Sequence, residues 1–312
     1  MSSSEGLRSE LAAFVGFSVP PAPRLETRHE ERGPGYTRAL VSYRSPDGDD
    51  VPAYLLVPDG DGPFPAVICH HQHNSEIHIG KSEPAGLAGD PLQAFGPALA
   101  RRGIIVLAPD SICFEDRRPG RHGREPHPDD GRRHFDELCY RLLRGDTLAR
   151  KVVSDSALGL SLLAAMPIVD RDDIGLLGHS YGGNTVLFHA PLDHRVRFAC
   201  SSGAACSFRQ RIASGTGIEL ASVIPGFLER FELGDLVAGI APAPLLLVSA
   251  TRDPYSEDAD AIEAAARRVY AQLGANHRLE HRREDGGHDL SRTRFERIVS
   301  WTVEAAHGQA PA

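Results

Sequence analysis

A serine flanked by glycines, in the sequence GHSYG at residues 178–182, carries the clearest chemical signal in the chain. The apolar run 174–177 precedes it and predicts a strand, and residues 185–188 follow it and can continue as a helix. A sharp turn from strand to helix holds Ser180 exposed and strained, and side chains at the glycine positions would collide with that turn. The helix start would also direct free N–H groups toward negative charge forming beside the serine. The motif alone is weak, so a nucleophilic Ser180 requires an acid and a base elsewhere.

Two later loops supply an acid and a histidine in suitable places. A serine hydroxyl is a poor nucleophile at neutral pH, so it needs a base, and the base needs an orienting partner. Asp253 follows the strand predicted over 245–249, in a loop at the edge of the sheet. His288 lies in the sequence DGGHD, between the last predicted strand and the last helix, where glycines let the backbone swing the imidazole over the site. The order serine, aspartate, histidine is that of α/β-hydrolases. It predicts a catalytic triad of Ser180, Asp253 and His288.

Neighbouring residues offer alternatives for the acid and the base. Asp253 could instead cap a helix, which would leave Glu257 or Asp258 as the acid. His281 competes with His288 for the role of base. Because His281 lies within a predicted strand, a structural role is expected for it.

The loop after the third predicted strand, HHQHN at residues 70–74, is rich in histidine. The tetrahedral intermediate of ester cleavage needs N–H donors, and one is expected from the backbone of Tyr181 and the other from this loop. A zinc site is the alternative, since His71 and His73 would face the same side if the strand continued. No Cys/His pair or third well-spaced ligand accompanies them, and a triad needs no metal. The sequence therefore favours an oxyanion loop and predicts neither metal nor cofactor.

Composition narrows the class of protein and its partners. The chain has 312 residues, of which 41% are hydrophobic and 24% charged, as in ordinary globular proteins. Its net charge of −8 argues against nucleic acid as a partner. No stretch approaches the roughly 18 apolar residues of a membrane helix, and no secretory signal is recognisable. Five cysteines, an odd number found mostly in apolar runs, are typical of reduced thiols. A cytoplasmic protein that does not bind membranes is expected.

The spacing of apolar residues predicts an α/β domain over residues 36–308. A hairpin of strands 37–43 and 51–57 comes first, and strand 64–69 follows. Further predicted strands cover 104–107, 174–177, 196–200, 245–249 and 278–281. Predicted helices cover 92–102, 146–165, 259–273 and 291–306. This pattern predicts a mainly parallel eight-stranded sheet with helices on both faces.

Residues 1–35 are expected to form a helical extension to this domain. Leu7, Leu11, Phe14 and Val15 recur at helical spacing, and prolines then end the helix. The helix either packs on the main domain or forms a contact between two copies of the chain.

Three insertions, at about 72–91, 110–134 and 203–243, follow the carboxyl ends of predicted strands, where open α/β sheets bind ligands. Long loops of this kind are usually functional, although they could also be solvated surface. The predicted substrate contacts are His71, His73, Glu115 and Arg117. The arginines of the second insertion could hold an anionic substrate or simply face solvent.

Several segments resemble a bacterial branch of the α/β-hydrolases that is related to dienelactone hydrolases and acetyl xylan esterases. The segments are HQ at 71–72, GKSEPAG at 80–86, RGIIVLAPD at 102–110 and IAPAPLL at 240–246. The resemblance implies that Ser180, Asp253 and His288 are the triad. It also implies that Gln72 and Tyr181 supply the oxyanion N–H groups. Dienelactone hydrolases proper carry a cysteine nucleophile, so the serine at position 180 favours a resemblance to the esterases. Nothing in the sequence supports carbohydrate binding, so acetyl xylan is not carried over as the substrate.

These observations predict a serine hydrolase that cleaves a small carboxylic ester through an acyl-enzyme. An acyltransferase, a cyclising thioesterase or a C–C bond hydrolase could use the same triad, and a pocket that excludes water would favour transfer. A ligand-binding receptor on the same fold is a third class. The intact triad disfavours it, because a retired site has no reason to keep all three residues.

Overall fold

The computed structural model describes residues 4–308. Nine strands form a single sheet, and ten α-helices accompany it in this part of the chain. The strands are β1 (Leu25–Gly33), β2 (Tyr36–Arg44), β3 (Asp50–Pro58), β4 (Phe64–His70), β5 (Ile105–Pro109), β6 (Val169–His179), β7 (Phe198–Ser202), β8 (Leu245–Ala250) and β9 (Leu279–Glu284). The helices are α1 (Ser4–Val15), α2 (Phe95–Ala100), α3 (Asp130–Leu143), α4 (Leu148–Ala165), α5 (Tyr181–His189), α6 (Phe208–Ser214), α7 (Phe227–Arg230), α8 (Leu233–Gly239), α9 (Ala259–Gln272) and α10 (Arg292–Ala306).

The sheet order is β1-β2-β3-β5-β4-β6-β7-β8-β9. The strands β1, β2, β3 and β5 pair antiparallel in sequence, and the pairs from β5 through β4 to β9 are all parallel. The predicted hairpin and the mainly parallel sheet are therefore confirmed. Because the carboxyl ends of the parallel strands share one edge, the loops after β4, β6, β7, β8 and β9 meet there.

The predicted number of eight strands is wrong, because β1 adds a ninth. Its sequence, LETRHEERG, is almost entirely polar, and most of its residues are exposed. Among the described strands it pairs only with β2, at the edge of the sheet. An edge strand with no buried face shows no alternation of apolar residues, so periodicity does not reveal it. The second half of the expected helical extension is thus part of the sheet, whereas the helix expected before it is present as α1.

The central strands are apolar because helices cover both faces of the sheet. All residues of β5, β7 and β8 are buried. Successive residues of a strand point to opposite faces, so Ile68 packs in one hydrophobic cluster and Val67 in another. Helices α4, α5, α8 and α9 contribute to the first cluster, and α2 and α10 contribute to the second.

The second and third insertions contain helices that the sequence does not predict. Helix α3 begins within the second insertion and buries only three of its fourteen residues. The third insertion holds α6, α7 and α8, which have seven residues or fewer. Such short helices depend on their caps, as in α8, where Glu232 and Asp235 form a reciprocal capping box. None of the helices among residues 4–308 is long and apolar enough to cross a membrane.

Candidate active site

The proposed nucleophile, Ser180, lies at a turn between a strand and a helix. Strand β6 ends at His179 and helix α5 begins at Tyr181. Ser180 has φ +56° and ψ −118°, a conformation that residues other than glycine rarely adopt. Its N–H donates to the Ser202 carbonyl at 2.8 Å, and its own carbonyl accepts from the Asn184 N–H at 2.9 Å. These two hydrogen bonds hold the strained backbone in place.

The glycines around Ser180 are required by backbone contacts. A Cβ at Gly178 would lie 2.2 Å from the carbonyl carbon of Gly182. A Cβ at Gly182 would lie 2.4 Å from the carbonyl oxygen of His70. Neither backbone contact can relax by moving a flexible side chain. The G-x-S-x-G spacing therefore follows from how tightly α5 packs on β4 and β6.

Ser180, His288 and Asp253 are joined in series by hydrogen bonds. The Ser180 Oγ lies 2.8 Å from His288 Nε2, and His288 Nδ1 lies 2.9 Å from Asp253 Oδ1. Asp253 is in the loop after β8, and His288 is between β9 and α10. Because the carboxylate can only accept, the hydrogen-bond network assigns the proton to Nδ1 and leaves Nε2 to accept from the serine hydroxyl.

The surroundings of Asp253 favour its ionised form. Burial alone would raise the pKa of this carboxyl group, but hydrogen bonds from His288, Ser256 and Tyr255 outweigh burial and lower it. The Ser256 hydroxyl donates to Oδ2 at 2.7 Å, and the Tyr255 N–H donates to Oδ1 at 2.9 Å. A carboxylate held in this way can orient the imidazole of His288.

The alternative acids and the alternative base lie in other networks. His281 contacts the Ser249 hydroxyl at 2.7 Å and Glu263 at 2.9 Å. Asp258 accepts the Ser207 N–H at 2.9 Å. Glu257 is exposed and next to Asp258. Asp253 and His288 are thus the acid and histidine that the fold brings to Ser180.

A second histidine, His179, packs beside His288 without joining the series. The two ring centroids are 4.9 Å apart, and His179 Nδ1 contacts the Ser202 hydroxyl at 2.9 Å. Burial, together with the nearby His288, lowers the pKa of His179 to about 3. A ring that stays neutral at ordinary pH and has no contact with Ser180 Oγ can pack and orient, but it is poorly suited to be the base.

The backbone N–H groups of Tyr181 and Gln72 are the candidates for binding an oxyanion at Ser180. Within residues 4–308, neither the Tyr181 N–H nor the Gln72 N–H has an acceptor. The contact between Gly182 and the carbonyls of His70 and His71 places the loop after β4 against the start of α5. The Gln72 side chain is held by Glu83, to which its Nε2 donates at 2.9 Å. The loop can therefore present its backbone donor from a fixed position.

His71 and His73 have different surroundings and do not act as a pair. The His71 side chain is buried, and its Nδ1–H donates to the Gln72 carbonyl at 2.8 Å. Its Nε2 accepts the Ser111 N–H at 3.1 Å, so both ring nitrogens are occupied. His73 instead lines the cleft over Ser180. In the described part of the chain, neither histidine belongs to a group of side chains spaced to hold a metal ion.

Glu115 and Arg117 are not in the cleft, and their prediction as substrate contacts is wrong. Glu115 is buried and accepts from the Lys81 ammonium at 2.6 Å and the Ser82 hydroxyl at 2.6 Å. Arg117 is also buried, and its guanidinium is paired with Asp155 at 2.8 Å and with Asp49. The second insertion folds inward so that each of these charges meets an opposite one, away from the cleft over Ser180.

The chain is similar in sequence to a protein that is named as a hydrolase. No protein-family model matches the chain. YtaP of Bacillus subtilis (strain 168), a protein named as a hydrolase, is 28% identical over 235 residues, which is 73% of this chain and 74% of YtaP.

Solved structures of esterases superimpose on most of the chain. A Bacteroides fragilis NCTC 9343 protein, whose structure is named as that of an acetyl xylan esterase, matches with a TM-score of 0.74 at 18% identity, over 90% of this chain and 74% of that one. A glucuronoyl esterase from Solibacter usitatus matches with a TM-score of 0.67 at 17% identity, over 96% and 91% of the two chains. Acetyl xylan esterase 1 from Thermoanaerobacterium sp. JW/SL YS485 matches with a TM-score of 0.63 at 17% identity, over 98% and 95%. The chain has the α/β-hydrolase fold.

In this α/β-hydrolase fold, a cleft of about 330 Å³ opens over Ser180 and His288. The first insertion lines it with His73, Asn74 and Ser75, and the third lines it with Arg211 and residues 216–220. Asn184, Gly203 and Tyr255 complete the lining. The second insertion contributes no residue to it.

Several of the lining residues are not predicted from the sequence, among them Asn184, Tyr255 and Arg211. Asn184 lies four positions after Ser180, one turn along α5, and Tyr255 lies two positions after Asp253. Once the triad is assumed, these two spacings are enough to predict that Asn184 and Tyr255 lie near it. Arg211 lies on α6, a helix with no signal in the apolar pattern, so nothing in the sequence singles it out.

Proposed function

We propose that this protein is a serine hydrolase that cleaves a carboxylic ester through an acyl-enzyme intermediate. The observation that carries the proposal is the hydrogen-bonded series from Ser180 Oγ through His288 to Asp253, mounted on a strained turn at the carboxyl edge of the sheet. The names of the similar proteins, a hydrolase and several esterases, are consistent with it.

Acylation begins at Ser180. Its Oγ forms a bond to the ester carbonyl carbon as its proton passes to Nε2 of His288. The carbonyl oxygen becomes an oxyanion, which the Tyr181 and Gln72 N–H groups can bind. When the intermediate collapses, the bond from carbon to the alcohol oxygen breaks, and Nε2 returns the proton to the departing alkoxide. The acyl group remains on the serine.

Deacylation repeats the same steps with water. Nε2 of His288 accepts a proton as the water oxygen attacks the acyl carbon, and the second oxyanion occupies the same position. The bond to Ser180 Oγ then breaks, and the serine recovers its proton from the imidazolium. Asp253 stabilises that imidazolium in both halves of the reaction, which its lowered pKa permits.

The test is ester hydrolysis by the wild type and two serine variants. The wild type is expected to hydrolyse para-nitrophenyl acetate or other small methyl and acetyl esters. Ser180→Ala should lower kcat by about 10³-fold or more. Ser214→Ala is the matched control, because that residue is exposed and its hydroxyl, within residues 4–308, contacts only its own helix and Thr216. Equal rates for the two variants would refute the proposal.

A further inference from the structure

Arg211 lines the cleft beside the proposed nucleophile, yet its side chain is almost wholly buried. The residue is 4% exposed and lies on α6 of the third insertion. No carboxylate among residues 4–308 lies within ion-pair distance of its guanidinium. A buried charge is unfavourable unless it is paired, so the absence of a counterion at this position needs a physical reason.

Most other buried cations among the described residues form ion pairs with carboxylates. The cations Lys81, Lys151, Arg117 and Arg118 each contact at least one carboxylate at 2.9 Å or less. Arg294 is buried without such a partner, but it donates to the Asp289 carbonyl and lies outside the cleft. Arg211 therefore combines a buried, unpaired charge with a position in the cleft of the proposed triad.

The hydrogen bonds of Arg211 leave one side of its guanidinium available. Nε donates to the Cys206 carbonyl at 3.1 Å. Nη2 makes two long contacts, with the Ala204 carbonyl at 3.3 Å and Asn184 Oδ1 at 3.4 Å. Nη1 has no acceptor in the described part of the chain. Nη1 is therefore free to donate to a carboxylate, and Nη2, whose two contacts are long, can share a hydrogen with the same carboxylate.

Two contacts place this edge close to the reacting groups. The Asn184 side chain, which accepts from Arg211, donates to the Ser180 carbonyl at 3.2 Å. The Arg211 guanidinium lies 5.5 Å from the centroid of the Tyr255 ring, and that ring lies 4.7 Å from the ring of His288. A group bound by Arg211 would thus belong to the same small molecule whose ester reaches Ser180.

We propose that Arg211 recognises a carboxylate on the ester substrate, so that the enzyme prefers esters carrying an anionic group on the acyl or the alcohol side. This inference rests on the proposed function and names the substrate class of the same site. The substrate carboxylate supplies the counterion that the protein lacks. Glu219, on the same cleft, accepts the Leu220 N–H at 2.8 Å and is not ion-paired with Arg211. Its charge disfavours an anion close to Glu219 and so favours binding of the carboxylate at Arg211.

The kinetic test uses pairs of esters that differ only in charge. One pair is para-acetoxybenzoate and para-acetoxybenzamide, and the other is monomethyl adipate and its neutral monoamide. In at least one pair, the anionic ester should have a kcat/KM at least about tenfold higher in the wild type. Arg211→Gln should remove that preference, and Arg211→Lys should retain part of it. Arg209→Gln is the matched control on the same helix, because Arg209 is exposed and outside the cleft. The inference is wrong if neither pair shows a preference, or if Arg211→Gln keeps it.

A binding test separates this inference from the proposed function. In a Ser180→Ala background, which should not turn over the esters, calorimetry gives Kd for both members of each pair. The carboxylate member should bind at least about tenfold more tightly, and adding Arg211→Gln should abolish the difference. If the wild type hydrolyses no ester but this difference is present, the proposed function fails and the carboxylate site stands. If the two members bind equally in both pairs, the carboxylate site fails whether or not esters are hydrolysed.

Discussion

Hydrogen bonds of individual side-chain atoms distinguish Asp253, as the proposed catalytic acid, from its acidic neighbours. Its carboxylate bonds His288 directly, whereas Asp258 caps a backbone N–H and Glu257 is exposed. Asp253→Asn should keep the fold but lower kcat by about 10⁴-fold, because an amide can stabilise the wrong tautomer and cannot balance the imidazolium. Glu257→Gln and Asp258→Asn should each change kcat by less than about tenfold and affect stability by at most about 1 kcal/mol.

The measurement is kcat for the three variants on one small ester, with circular dichroism to confirm folding. The assignment of the acid is wrong if Asp253→Asn stays near wild type while either neighbour loses activity.

Glu83, which holds the Gln72 side chain, should make the stability of the folded protein depend on pH. Burial raises the pKa of its carboxyl group from an ordinary 4.5 to about 7. Between these values the folded state keeps a proton that the unfolded state releases, so this group's contribution to stability falls as pH rises. Glu83→Gln keeps an oxygen that can accept from the Gln72 side chain and the Asp90 N–H, but it cannot ionise.

Thermal melts at a series of pH values check this prediction. Relative to the wild type, Glu83→Gln should gain stability as pH rises through the window from 4.5 to about 7. Glu30→Gln, on the exposed edge strand β1, is the control and should follow the wild-type pH dependence. A Glu83→Gln profile parallel to wild type would contradict the shifted pKa.

At the residue scale, the sequence predicts the members of the hydrogen-bonded series and His73, but not most of the other residues that line the cleft. The order of Ser180, Asp253 and His288 is a pattern along the chain, tied to strand ends that periodicity locates. Glu115 and Arg117 look like exposed loop charges in the sequence. Their partners come from elsewhere in the chain, such as Asp155 on α4, and no local pattern reveals such pairing.

Substitutions at two glycines in helices test how tightly α5 packs on β4. Gly182 lies on α5 with the His70 carbonyl 2.4 Å from where a Cβ would be, whereas Gly131 on α3 has nothing within 4 Å. Gly131→Ala should stabilise the protein by about 0.5–1 kcal/mol, because alanine favours a helix. Gly182→Ala should destabilise it by about 1–3 kcal/mol and lower ester hydrolysis, because α5 must move away from β4.

Unfolding in urea, followed by circular dichroism, measures both free energies. A Gly182→Ala protein as stable as Gly131→Ala would mean that α5 packs on β4 less tightly than the backbone contact at Gly182 indicates.

At the element scale, the buried strands and the long helices α4, α9 and α10 were predictable because their burial leaves a period in the sequence. Strands β5 and β8 are continuous apolar runs covered on both faces. Strand β1 and helices α6 and α7 were not predictable, because an exposed edge strand and helices of seven and four residues leave no period to detect. These poorly patterned elements include α6, which carries the Arg211 side of the cleft.

At the scale of the whole molecule, the site is assembled from loops at one edge of the sheet, and its proposed chemistry uses only side chains and backbone donors. Both ring nitrogens of His71 are already hydrogen-bonded within the protein, which disfavours a metal held by His71 and His73. Removing divalent ions with a chelator should therefore leave ester hydrolysis unchanged. The measurement compares kcat/KM before and after chelation and dialysis. Loss of activity that zinc restores would contradict the metal-free mechanism.

The fold places three separate insertions where the parallel strands end, and two of them line the cleft. Alternation of strands and helices predicts that edge, because it follows from the topology of an open α/β sheet. Which insertion folds inward depends on ion pairs between distant segments, so the sequence does not reveal that the second one builds a buried ionic network instead of the cleft.

Ser180 should become covalently acylated during turnover, and peptide mass spectrometry can identify the modified residue. Protein treated with a fluorophosphonate, or quenched during reaction with a slowly hydrolysed ester, is digested and the modified residue is identified. We expect a single adduct on Ser180 in the folded wild type, none in Ser180→Ala, and strongly reduced labelling in His288→Ala, because the serine would lack its base. Ester hydrolysis at the wild-type rate by Ser180→Ala, or an acyl group on a different residue, would contradict the account.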